Sequence, residues 1–259
     1  MRIGLRCGLT GLRLATVTVA SAVVLAEAPV SAAGYYVDVE AGVAFCGYND
    51  VQIPQDTGTR FSFTDDLDTD PTAFVRLRIG VLDSGRHKLS MLVAPLRFSA
   101  SGSLQQPISF DGENFPAGTA LDGTYRFDSY RVTYLYALRQ SSKLEIDIGF
   151  TGKIRDAEVS LSGGGLKASY ANTGFVPLFS FSVGWSARKD LRFLIEGDAL
   201  ASPGGQGRAE DVFIGFDYHT GSRLGLRAGY RFLEGGADVE EVYNFTFIHY
   251  LALGVRLSF

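Results

Sequence analysis

The sequence predicts an all-β chain closed into a transmembrane, antiparallel, up-and-down barrel of ten strands, eight and twelve being the neighbouring counts that boundary errors would give. Three observations predict it. The last fourteen residues, Thr246 to Phe259, alternate strictly: Phe247, Leu251, Leu253, Val255, Leu257 and Phe259 share one face, with Thr246, Tyr250, Ala252, Gly254, Arg256 and Ser258 on the other. A tilted strand needs only about 9–11 residues to cross a bilayer, so this segment is long enough. Similar alternation recurs along the chain, and the connectors alternate between long and short.

In chain order the alternating segments are 35–46, 69–82, 87–98, 123–138, 143–155, 174–187, 191–199, 211–218, 223–232 and 246–259. Connectors 47–68, 99–122, 156–173 and 233–245 are long and 200–210 is intermediate, whereas 83–86, 139–142, 188–190 and 219–222 are short. Ser84-Gly85, Ser141-Ser142 and Thr220-Gly221-Ser222 have the composition of tight turns. Short turns at one end and longer loops at the other are the rhythm of a membrane barrel with both termini on the short-turn side.

The N-terminus adds a location. Arg2, Arg6 and Arg13 precede or open an apolar stretch from Leu14 to Leu25, and Ser31-Ala32-Ala33 follows with small residues. Residues 1–33 therefore read as a secretory signal peptide cleaved before Gly34, too short to span as a helix. Cys7 leaves with it, so Cys46 is the lone cysteine of the expected mature barrel, 34–259. Neither cysteine directly follows the apolar stretch, which argues against a lipoprotein. Removing Arg2, Arg6, Arg13 and Glu27 from 24 basic and 28 acidic residues leaves 21 and 27, a net charge of −6 that disfavours a nucleic-acid partner.

The two faces of the segments differ in a way that orients them. One carries Asp38 and Glu40, then Arg76 and Arg78, Arg131, Glu145, Asp147 and Lys153, Arg192, Glu196 and Asp198, Asp217, Arg227 and Arg231, and Arg256, interleaved with glycine. Acids of the first segment face bases of the second and last, and acids of the seventh and eighth face bases of the ninth. Such a face suits a narrow polar lumen, in which each ion needs a partner. The opposite face carries Tyr130, Tyr134, Tyr136, Phe179, Phe181, Trp185, Phe216, Tyr218, Tyr230 and Phe232, several near segment ends as in an interfacial aromatic girdle. A soluble lipocalin-like barrel would invert this arrangement, with the apolar face inside.

With its signal segment, strand rhythm and a final strand ending Val255, Leu257, Phe259, the chain resembles the Gram-negative outer-membrane β-barrel proteins, broadly the OmpA/OmpW-like class. The resemblance implies residence in the cell outer membrane, contact with membrane lipid and lipopolysaccharide, and recognition of the C-terminal Phe259 signal by the barrel-assembly machinery. It implies no cofactor, and oligomeric state is not legible. Ten strands lie nearer the packed eight-strand barrel than the open sixteen-strand porin. The expected function is a largely closed barrel presenting outer loops for surface contact or envelope integrity. Excess inward arginine leaves a narrow small-solute or anion channel as the alternative.

A lipid-modifying or proteolytic enzyme is the third class. His87 and His219 fall at expected short turns. Asp217-x-His219 has a spacing found in omptin proteases, but at the wrong end of the barrel. His249 faces outward among Phe247 and Leu251, and Leu251 stands where a barrel deacylase of the His-x-Ser type would need serine. No catalytic residue is assigned. Asp65, Asp66, Asp68 and Asp70 do not form an EF-hand, because the sixth position from Asp66 is Pro71. Glu234, Asp238, Glu240 and Glu241 read as a solvated loop, and Gly163-Gly164-Gly165 as a loop tip with no helix behind it. No metal site is assigned.

Overall fold

Alternation produces closure here because each barrel strand finds an antiparallel neighbour on both sides. A computed structural model describes residues 34–83, 86–103, 105–201, 207–221 and 223–259. The expected signal peptide with Cys7, and the turn residues Ser84, Gly85 and Ser222, lie outside them. The strands are β1 (Gly34–Gln52), β2 (Phe61–Ser62), β3 (Asp68–Thr69), β4 (Thr72–Leu82), β5 (His87–Ala94), β6 (Arg97–Ser103), β7 (Ile108–Phe110), β8 (Glu113–Phe115), β9 (Ala120–Gln140), β10 (Leu144–Gly163), β11 (Leu166–Ser186), β12 (Leu191–Ala201), β13 (Gly207–His219), β14 (Leu224–Val239) and β15 (Val242–Ser258).

Ten staves form the barrel: β1, β4, β5 with its continuation β6, and β9 to β15. Both β5 and β6 pair with β9, the interruption falling at Pro95-Leu96, where proline removes a ladder donor. The path closes through β1 with β15 and β9 with β10. Closure leaves no barrel edge to aggregate. Short connectors and both described ends, Gly34 and Phe259, lie at one end of the barrel, hereafter the terminus end; Phe259 and Tyr35 exchange backbone hydrogen bonds there. The side chains of Val255, Leu257 and Phe259 face outward.

The polar face points inward. Val39, Leu77, Ile79, Met91, Val132, Tyr134, Phe150, Phe179, Phe216 and Leu253 are exposed on the outside, whereas Asp38, Glu40, Arg76, Arg131, Asp217 and Arg231 are buried inside. The outer apolar band stops abruptly. One residue pair beyond Tyr130 and Ile154, the exterior carries Arg126, Asp128, Asp156 and Glu158, joined by Arg126 Nη1 to Asp156 at 2.6 Å and Asp128 at 3.1 Å and by Nε to Glu158 at 3.2 Å.

Two connectors differ from the sequence expectation. Residues 156–173 are not a long loop: β10 and β11 stay paired to Gly163↔Leu166, and the chain reverses at Gly164 and Gly165, whose φ of 59° and 82° suit glycine. Similarly, 233–245 is mostly ladder, with β14 and β15 paired to Val239↔Val242 around Glu240-Glu241. The alternation there uses small inward residues such as Ala157 and Ala168, so it lacks the bulky signature of a strand. The connectors after β1 and β6 do leave the wall, but they fold inward. Phe61, Phe63, Leu67, Ile108, Phe110 and Phe115 are buried against Phe98, Leu121, Tyr125, Val159 and Leu161. The loop end of the barrel is thus filled by an apolar plug, which the sequence reading of a charge-filled lumen did not anticipate.

Candidate functional site: the barrel lumen

The lumen is built in layers because successive inward positions of each strand sit at successive heights. Nearest the termini, Lys88 bonds Glu145 and, at 2.7 Å, Asp147, while Arg192 reaches Glu145 at 2.8 Å and Asp217 at 3.0 Å. Arg256 holds Asp38 at 2.6 Å, its direct partner in the β1–β15 register. Lys88, Glu145, Asp147, Arg192 and Arg256 line a polar vestibule of about 480 Å³ at the terminus end, together with Arg86 and His219.

Further in, Arg227 joins Asp217 at 2.8 Å to Glu196 at 3.0 Å, and Arg78 crosses the lumen to Glu196 at 3.0 Å. Arg231 grips both oxygens of Glu40 at 2.8 and 2.9 Å and Asp211 at 2.6 Å. Arg76 reaches Asp211 at 3.2 Å and Glu40 at 3.5 Å. Arg131 joins Asp211 at 2.5 Å to Asp198 at 2.7 Å. Asp198 accepts further hydrogen bonds from Thr151 at 2.9 Å and Ser180 at 2.7 Å. Followed from partner to partner, these ion pairs form one continuous network in which eight bases meet eight acids.

Aromatic rings sit among the charges: Tyr36 lies under the Arg256 guanidinium at 4.7 Å, and Phe213 lies deeper. Phe213 is fully buried, with the guanidinium groups of Arg227 and Arg231 over its face at 5.0 and 5.3 Å. Gly215 and Gly229, directly paired across β13 and β14, make room for it: a Cβ at either would lie 2.5–2.6 Å from the ring.

The structure brings all fourteen lumen residues named from the sequence, Asp38, Glu40, Arg76, Arg78, Arg131, Glu145, Asp147, Arg192, Glu196, Asp198, Asp217, Arg227, Arg231 and Arg256, into this network. It adds Lys88 and Asp211. Asp211 shares the parity of Asp217 on β13, a signal present in the sequence. The hydroxyl shelf of Thr133, Thr151 and Ser180 had none, because threonine and serine are equally at home on any strand. The cross-lumen pairs, such as Arg78–Glu196, are likewise invisible to neighbour-strand reasoning.

Other candidates resolve as follows. Asp217 is held by Arg192 and Arg227, which leaves no free carboxylate beside His219. His249 faces outward, with Nδ1 2.5 Å from the Tyr230 hydroxyl and its ring edge-on to Phe247. Gly47 sits over it at a β-bulge in β1, where a Cβ would lie 2.6 Å from His249 Nε2. Asp66 accepts the backbone N–H of Ser62 at 2.8 Å and so caps a turn of the plug. Cys46 points inward, packed against the plug, and donates weakly to Tyr48 O at 3.4 Å.

Neither a protein-family model nor any curated protein matches the sequence. Similarity lies in shape: the outer-membrane protease OmpT of Escherichia coli superposes with a TM-score of 0.56 at 7% identity, covering 87% of this chain and 97% of that one. The β-domain of the Bordetella autotransporter BrkA gives 0.45 at 14% identity over 88% and 100%, and the attachment invasion locus protein Ail of Yersinia pestis 0.41 at 11% over 87% and 99%. At these identities the likeness is one of fold, and the fold is the closed antiparallel barrel of outer-membrane proteins.

Proposed function

We propose that the chain is an integral outer-membrane barrel, cleaved before Gly34, that is electrically closed and presents its loop end for surface contact or envelope integrity. One observation carries this reading: the lumen is obstructed twice in series, by a charge-balanced ion network and by an aromatic plug. A conducting path would have to break buried ion pairs, each of which costs several kcal/mol to separate. The arginine excess that favoured an anion channel is cancelled by carboxylates in the same layers. The outward apolar band with its abrupt polar border supports membrane residence, and lipid with lipopolysaccharide is then the surrounding partner. Beyond that border, the β10–β11 and β14–β15 hairpins offer rigid polar surfaces, and Arg208 of β13 pairs with Glu234 of β14 at 2.5 Å.

The test is single-channel recording of the folded protein in a planar bilayer, with folding checked by its heat-dependent gel shift. Silence is the expected result. Reproducible anion-selective steps would overturn the closed reading.

A further inference from the structure

One buried cation stands outside the charge balance of the lumen. Lys153 is only 4% exposed, yet among the described residues its ammonium makes no hydrogen bond or ion pair; it lies over the face of Phe127, 4.8 Å from the centroid. Its direct partner on β9 is another cation, Arg131. The nearest network carboxylates, Asp198 and Asp211, are both bonded to Arg131. A buried cation with no carboxylate bonded to it among the described residues is costly, so an anionic ligand would be favoured at this position.

The space around Lys153 says what kind of anion. It lines a cavity of about 340 Å³ whose walls are mostly apolar, with Phe127, Leu233, Val176 and Leu200 among them, and also include the paired Arg208 and Glu234. That volume lies at the lower end of the roughly 300–1,000 Å³ typical of small-molecule sites. Arg155, two residues along the same inward face, also lines it; its Nη2 donates to Asn172 while its buried Nε makes no hydrogen bond.

We propose that this cavity binds a single-chain carboxylate amphiphile, a medium-chain fatty acid, with its carboxylate on Lys153 and Arg155 Nε and its alkyl chain along Phe127, Leu233 and Val176. One lysine and one N–H match a singly charged, two-oxygen head group. The apolar walls match a chain without further polar groups. The charge of the head group completes the balance that the sixteen-residue network leaves unmet at Lys153.

The experiment titrates ¹³C-carboxyl dodecanoate into the folded full-length protein in a nonionic detergent and follows the carboxylate resonance, with dodecanol and acetate as competitors. Saturable one-to-one binding is expected, with Lys153→Met weakening it at least tenfold and both competitors displacing poorly. Gly174→Leu is the second variant: a Cβ there has its nearest neighbour, Arg155 Nη2, at 3.4 Å, so the larger side chain enters the cavity without a backbone clash and blocks the chain while leaving Lys153 in place. Absence of saturable binding by the wild-type protein would overturn the proposal. So would wild-type affinity in folded Lys153→Met, or displacement by dodecanol as effective as by dodecanoate. Should Lys153→Met lose the heat-dependent gel shift, unaltered dodecanoate binding by Gly174→Leu would overturn it alone. Because none of these readouts measures conductance, failure here is distinct from failure of the closed-barrel reading.

Discussion

The two halves of the lumen are lined by the same strands in the same in–out alternation, yet they are filled by opposite chemistry. Toward the termini the inward positions are ions that saturate one another. Toward the loop end the inward wall becomes Ala44, Phe98, Leu121, Tyr125 and Leu161, and the remaining space is filled by rings from the connectors. The difference teaches how a narrow barrel solves one packing problem in two ways. Where long charged side chains can meet across the bore, the wall fills itself. Where the wall turns apolar, filler must come from elsewhere, and Phe61, Phe63 and Phe110 supply it.

The comparison breaks most severely at Arg231. It serves Glu40 through two hydrogen bonds and Asp211 through a third, all in buried surroundings. Arg231→Met should destabilise the barrel by about 4 kcal/mol, because it leaves buried Glu40 with only the 3.5 Å contact of Arg76 and takes a cation from Asp211 rather than merely deleting a contact. Urea unfolding in detergent, read by tryptophan fluorescence from Trp185, measures this. Adding Glu40→Gln should recover part of the loss; equal instability of single and double variants would mean that the guanidinium acts by packing on Phe213, not by charge.

The plug should fail differently. Phe63 is fully buried and its ring lies 6.3 Å from that of Tyr125. Phe63→Ala should cost about 3 kcal/mol, toward the lower end for aromatic truncation, since a connector relaxes more readily than a wall. Its conductance should stay at zero, because the ion network still seals the other half. Channel steps from this variant would show the plug to be the only seal.

A smaller effect separates wall from filling altogether. Tyr230→Phe removes one outward hydrogen bond to His249 and leaves both halves of the lumen untouched. A loss of about 1 kcal/mol, the usual worth of a single hydrogen bond, is expected in the same unfolding assay.

These two regions also differ in how legible they were. Strand rhythm, closure and the inward charges are written in local alternation, and the pairs Asp38–Arg256 and Asp217–Arg227 follow directly from neighbouring strands. The plug is not local. Phe61 and Phe63 look like any loop aromatics until the connector folds back into the bore, and Ala157 or Ala168 gives no hint of a strand because small side chains carry little periodic contrast. Lys153 was visible as one more inward charge. That it bonds no carboxylate among the described residues emerges only from distances across the lumen, which a single sequence does not contain.

The smallest expected effect belongs to the exterior, at the polar border of the apolar band. Arg126 lies among Asp128, Asp156 and Glu158, and its hydrogen bonds to Asp156 are the main cause holding that carboxyl below its ordinary range; Glu158 is held down chiefly by the Ser169 hydroxyl and secondarily by Arg126. A carboxyl whose pKa is lower in the folded state contributes stability that is present above its unfolded value and is lost as pH falls through the folded one. Arg126→Gln should therefore lower the thermal midpoint slightly near neutrality, and the gap from wild type should close as pH drops below the ordinary carboxylate range. Raising salt should shrink the same gap, since exposed pairs are readily screened. The inner part of the network around Arg231, whose ions are buried away from solvent salt, should show no comparable salt sensitivity when Arg231→Met is measured alongside. A gap at Arg126 that persists in acid and in high salt would place this cluster with the lumen and erase the contrast between screened exterior and unscreened interior charge.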